Sequence, residues 1–167
     1  MNTIDLFIAE LEREAKTTRR ALEQVPEGVT GFKPHPKSME LGYLATLVAT
    51  MPSWITKMIN DDELDLRPVG KESHRPANRD GGAELVKLLD ETVAEAIEAL
   101  SKTNEEHLMT NWQLKAAGHV VQEQARHLFI RDTINHWAHH RGQLTVYLRL
   151  NDAKVTSIYG PTADEPM

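Results

Sequence analysis

Apolar side chains recur at three- and four-residue steps from the start of the chain: Ile4, Phe7, Leu11, Ala15, Leu22 and Val25 form one stripe, with Thr18 in register. That period predicts a core-facing helix over residues 3–24, ended by Pro26. A second stripe, Leu41, Leu44, Leu47, Val48, Met51, Ile55 and Met58, follows Ser38, whose hydroxyl suits an N-cap. Pro52 removes one backbone N–H from this helix and predicts a kink. Residues 60–82 carry Pro68, Gly70, Pro76, Gly81 and Gly82 among dense charges, the pattern of a long polar crossover. A third helix, residues 83–101, turns Leu85, Leu88, Leu89, Val93, Ala96, Ile97 and Leu100 inward and an acidic face outward. Residues 112–119 show no decisive period. The last and longest helix, residues 123–150, has an inward stripe of Phe129, Thr133, His136, His140, Leu144 and Tyr147 beside a second one of Ile130, Ile134, Trp137 and Leu148. Four helical patterns with little strand signal predict an all-α four-helix bundle, whose long crossover lets the second and third helices run parallel.

Composition narrows what such a bundle can do. With 167 residues, 40% hydrophobic and 26% charged, the chain suits one domain with one core, residues 1–167, and is too apolar for disorder. A net charge of -6 argues against a nucleic-acid partner, whose binding depends on neutralising phosphates. The absence of cysteine excludes disulfides, thiolate metal sites and a cysteine nucleophile. The N-terminus has neither a basic nor an apolar export region, and the longest apolar window, residues 41–48, is far short of a membrane span. A cytoplasmic, membrane-free protein is the expectation. No Gly-rich phosphate loop or serine nucleophile motif occurs, so the eight histidines are the main candidates for chemistry.

His136 and His140 lie four residues apart, one turn along the same helical face, where two imidazoles can converge on one ion. A neutral ring nitrogen offers a lone pair to Zn²⁺, Ni²⁺, Fe²⁺ or Cu²⁺ near neutral pH. His139 falls off that face. Spacing alone is weak, but the pair occupies inward positions where an unpartnered imidazole would be costly. The other reading is a pair of core histidines satisfied by water, backbone or side-chain acceptors. His74 and His107 sit in polar surroundings, and His119 and His127 have no evident partner. Trp54, Trp112 and Trp137 read as core or pocket walls, since no basic groove accompanies them. Arg126, Arg131, Arg141 and Arg149 fall on different faces of the last helix and make no phosphate stripe, and Tyr159 reads as a packing residue.

Several segments together resemble the DinB/YfiT-like proteins over nearly the whole chain. They are Phe32-Lys33-Pro34-His35-Pro36-Lys37-Ser38-Met39 leading into the second helix, Met51-Pro52-Ser53-Trp54 at the kink, residues 135–144 around the histidine pair, and Ile158-Tyr159-Gly160-Pro161 near the end. The resemblance implies a DinB-like four-helix bundle with long crossover connections, a homodimer, and a divalent metal held by three histidines, one from the second helix and two from the last. Members with known activity use that ion in chemistry of low-molecular-weight thiols, as transferases or isomerases; others are assigned as hydrolases.

Carried over residue by residue, the last-helix ligands match His136 and His140, whereas the second-helix position is Leu47, which has no lone pair. Glu40 lies about 10 Å further along the axis, Met51 offers only a soft thioether, and His35 precedes the helix. The expectation is a degenerate two-histidine site in which one divalent metal, Zn, Ni or Fe, is weakly bound or absent, in a small-molecule-binding or structural bundle. The alternative is a divalent-metal-dependent thiol transferase, isomerase or hydrolase.

Overall fold

The computed structural model describes residues 2–70 and 76–166; His74 lies outside the described residues. The chain runs α1 (Thr3–Leu22), α2 (Leu41–Thr50), α3 (Pro52–Asn60), β1 (Glu63–Asp65), α4 (Gly82–Lys102), α5 (Glu105–Leu108), β2 (Asn111–Ala116), β3 (His119–Ala125) and α6 (Arg126–Leu150). All four helical stripes are present, but the fold is not purely α: a three-stranded sheet of order β1-β2-β3 packs on α3 and α6.

A capping box opens α1, with Asn2 Oδ1 accepting the Asp5 N–H at 2.8 Å and the Asp5 carboxylate accepting the Asn2 N–H. The second helix begins at Leu41, without a side-chain cap from Ser38. The Ser38 N–H donates instead to the His35 carbonyl, closing a turn, and the first helical N–H groups of Leu41 and Gly42 donate to the carbonyls of Phe32 and Thr30, each at 2.9 Å. Backbone acceptors from the preceding loop thus serve the orphan donors of the helix start.

The break at Pro52 is the main joint of the bundle. Proline offers no N–H to the carbonyl four residues earlier. That carbonyl, Val48 O, accepts the Trp137 indole N–H at 2.7 Å. The next one, Ala49 O, accepts the Thr92 hydroxyl at 2.8 Å. Ser53 Oγ donates to Thr50 O at 2.8 Å. The break is therefore clamped to both α6 and α4.

These ties also fix direction. Arg79 N–H meets Thr46, Thr92 meets Ala49, and Ala99 and Lys102 lie across from Ile59 and Asn60, so α2–α3 and α4 run the same way, as the long crossover permits. Arg126, Trp137 and Tyr147 meet Met58, Val48 and Met39 in turn, so α6 runs opposite to them. At the start of α4, Gly82 comes so close to α1 that a Cβ would stand 2.8 Å from the Leu22 and Glu23 carbonyls. No larger residue fits there without moving the backbone.

The undecided stretch of residues 112–119 is a hairpin, and it also takes residues 123–125 from the expected last helix. Ala116 pairs with His119 across a two-residue turn, Ala117-Gly118, at φ +52 and +79. Positive φ at both positions suits the twist of a tight hairpin. The parallel partner of β2 is β1, with Glu63 opposite Gln113. Trp112 anchors the sheet, fully buried and edge-on to Phe129 at 4.8 Å. Arg126 closes the junction: its buried guanidinium donates to the carbonyls of Met58, Asn111 and Asp61, to Thr110 Oγ1 and to the exposed Asp62 carboxylate. Among the described residues, no helix is long and apolar enough to cross a membrane.

Replacing Trp137 by Phe keeps an aromatic ring but removes the N–H from Val48 O and part of the buried indole volume, which should cost at least about 1–3 kcal/mol in urea unfolding. In a Pro52→Ala background, where residue 52 regains its N–H, the same replacement should cost distinctly less. Equal costs in both backgrounds would show that the proline does not create the need for the indole.

Candidate functional site

The clamp between Trp137 and Val48 sets α6 against α2, and with it the histidines against Leu47. Successive residues on a helix turn by about 100°. Trp137 points into the core, so His140, three residues on, is rotated about 60° from it, and His136, one residue back, about 100°. The burial follows: His140 is 8% exposed, whereas His136 is exposed. The expectation that both rings face inward therefore holds for His140 and fails for His136, which opens into a cleft. The two ring centroids are 4.4 Å apart at 44°.

That cleft, about 790 Å³, is lined by both histidines and by one face of the bent second helix. Met39, Tyr43, Leu47, Thr50, Trp54 and Lys57 follow one another along it at helical spacing. The opposite wall comes from the crossover: Leu64, Leu66, Arg67 and Pro76. The Asp65 carboxylate holds this wall in place by accepting backbone N–H groups of Arg67 at 2.9 Å, Ala117 at 3.1 Å and Gly118 at 2.7 Å. Partial burial opposes ionisation of Asp65, but those three donors outweigh it and keep the carboxyl below its ordinary range. A smaller apolar recess of about 300 Å³ continues past Trp54, Leu66 and His136 toward Trp112 and Phe129.

The surroundings disfavour the charged form of both imidazoles. His140 Nδ1 meets Gln143 Oε1 at 2.8 Å, and the same amide presents its nitrogen to His139 Nε2 at 3.1 Å. A carbonyl oxygen can only accept, so His140 donates from Nδ1 and keeps the lone pair on Nε2. Desolvation, by the core for His140 and by the cleft walls around the more open His136, pushes both pKa values below the usual imidazole value. Neighbouring imidazoles add to the shift of each, and the Gln143 bond opposes that of His140.

Among the described residues, no third His, Asp or Glu joins the pair. Leu47 is half-buried on the cleft wall. Glu40 is paired with Lys33 at 3.4 Å, Met51 is fully buried, and exposed His35 accepts the Lys37 N–H; none of the three lines the cleft. Among the described residues, no group of three His, Asp or Glu is placed to hold a metal ion. The Thr50 and Ser53 hydroxyls donate to helix carbonyls rather than to an imidazole, so neither forms a nucleophile–base pair.

The remaining histidines serve the fold or the surface. His107 Nε2 bonds the Ile59 carbonyl, His127 Nδ1 bonds the Leu108 carbonyl, and His119 is exposed. Arg141, buried at 1% exposure, donates to Glu14 and to the hydroxyls of Thr17, Thr18 and Tyr159, while the Tyr159 hydroxyl donates to Glu14 at 2.6 Å. Tyr159 therefore fastens the C-terminal segment over a buried ion pair while one side of its ring stays exposed. Sequence reasoning missed Lys57, Gln143 and the crossover wall. The first two had a signal: Lys57 continues the face of Thr50 and Trp54, and Gln143 is one turn from His140.

The DinB family model matches residues 1–166. A crystal structure of a DinB-like protein from Bacillus cereus ATCC 10987 superposes with a TM-score of 0.69 at 21% identity, covering 92% of this chain and 95% of that one. A second, of a DinB-like protein from Bacillus subtilis, does so with a TM-score of 0.68 at 16% identity, covering 92% and 96%. At these identities the structures establish likeness of fold. No curated protein matches the chain.

The depressed imidazoles have a consequence for pH. Well above the ordinary histidine value of 6.5, both folded and unfolded states are neutral and these groups contribute nothing. As the pH falls through 6.5 the unfolded chain takes up protons first, so stability drops. Urea midpoints should be level between about pH 8 and 7 and fall toward about pH 5.5, and His136→Gln with His140→Gln should flatten that limb. An unchanged slope in the double variant would show that the rings are not desolvated.

Proposed function

The chain belongs to the DinB family, and from that premise we propose that it is a small-molecule-binding member whose metal site is reduced to two histidines. The observation that supports this reading most is Leu47, a hydrocarbon side chain on the same cleft as His136 and His140. Open divalent sites ordinarily use three protein ligands with water or substrate in the remaining position. Two imidazoles one turn apart supply two, and no further His, Asp or Glu lines the cleft among the described residues. The donor set does not fit a stably held divalent centre, so no reaction step is assigned to one.

What the cleft offers is a binding surface. Its volume of about 790 Å³ is in the range of small-molecule pockets, with Leu47, Trp54, Leu64 and Leu66 as apolar walls. His140 Nε2, held as an acceptor through Gln143, takes a hydrogen bond from a donor group on the ligand. Apolar contact supplies affinity and the imidazole supplies orientation.

Elemental analysis of protein purified without an affinity tag, beside its Leu47→His variant, tests this. The natural chain should carry well under one equivalent of divalent metal, and the variant should approach one, with affinity raised at least about 10- to 100-fold. One equivalent in both would overturn the reading in favour of the metal-dependent enzyme. Metal in neither would overturn the assignment of Leu47 to the vacated ligand position.

A further inference from the structure

We propose that the ligand of the cleft is an amphipathic organic anion, its apolar body against Trp54, Leu47, Leu64 and Leu66 and its negative group between Lys57 and Arg67. This rests on the small-molecule reading above and adds the charge and shape of the molecule.

Lys57 enters the cleft from α3, one turn past Trp54, and Arg67 enters from the crossover wall just after Leu66. Two separate elements thus deliver cations to one hollow. Among the described residues neither side chain has a carboxylate partner or a hydrogen bond. Of the nearby acids, Asp62 pairs with Arg126, Glu63 with Lys115, and Asp65 with three backbone N–H groups, including that of Arg67 itself, while exposed Asp61 stands outside the cleft lining. Asp65 thereby sets the position of Arg67 without meeting its guanidinium.

Among the described residues no Asp or Glu lines this cleft itself, and Asp132, in the adjoining recess, accepts the Gln124 amide N–H at 3.0 Å. The cleft lining is a local reversal in a chain with 25 acidic and 19 basic residues. Lys57 and Arg67 supply the cleft's cationic side chains, one from each wall. Between them the wall is aliphatic and aromatic, which lowers the local dielectric and strengthens attraction for an anion relative to open surface. A neutral ligand gains the apolar contact and any hydrogen bond to His140 but no attraction of charge, and a cationic one is repelled by both residues. The guanidinium fork suits a planar or tetrahedral oxyanion, with the ammonium as a second point of charge.

A shape-matched series of octanoate, octanamide and octylammonium, titrated calorimetrically into the full chain at low ionic strength, tests the proposal. Octanoate should bind about tenfold or more tighter than octanamide, with octylammonium weakest, and added salt should shrink the difference. Lys57→Ala with Arg67→Ala should bring octanoate down to the level of octanamide while leaving octanamide unchanged. Lys16→Ala with Lys37→Ala, which removes two exposed cations elsewhere, should leave the preference intact. Equal affinities for octanoate and octanamide, or a preference that survives loss of Lys57 and Arg67, would overturn the anion inference alone. Binding of none of the three would overturn the small-molecule reading as well.

Discussion

Pro52 has no N–H to offer the carbonyl of Val48, and the indole of Trp137 takes its place at 2.7 Å. A carbonyl left unpaired in a core as dry as this one is costly, so the interruption of the second helix requires a donor from elsewhere. The donor comes from the last helix, and the Thr92 hydroxyl from α4 serves the adjacent carbonyl. A local defect in one helix thereby becomes the point at which three helices are held in register. The candidate site follows from it, since turning Trp137 inward leaves His140 at the edge of the core and His136 on the open side.

Polar side chains brace the two ends of the same assembly. Arg126 gathers carbonyls from the end of α3 and the start of the sheet, and Arg141 binds α6 to α1 through Glu14. Both guanidiniums are almost fully buried, and each is surrounded by acceptors rather than by a lone counterion. An Arg in such a place is stabilised by the number and direction of its hydrogen bonds as much as by charge. With Arg126 and Arg141 committed to these braces and Arg149 paired with Asp164, three of the four arginines singled out on the last helix are occupied within the fold.

The helices were legible because their faces are repeated burial patterns: the stripes through Leu11, Leu44, Leu89 and Leu144 are the stripes of the core. The histidine pair was legible as a pair through its one-turn spacing, whereas its pairing with Leu47 came from the family resemblance alone. The sheet was not. Only Trp112 is buried in β2 and none of β3 is, so the alternation that marks a half-buried strand is absent. The cleft wall was less legible still. Leu64, Leu66 and Arg67 are placed by pairing of Glu63 with Gln113 and by the grip of Asp65 on the hairpin turn, contacts between distant parts of the chain that no local period encodes.

The two sides of the cleft differ in how they are built. Leu47, Trp54, His136 and His140 stand on helices locked by the core, so changing their spacing would disturb the bundle. Leu64, Leu66 and Arg67 hang on a three-residue strand and one carboxylate. Divergence among related chains can thus proceed on that flank at little expense to folding, so its residues, more than the helical frame, are where differing molecular tastes would be written.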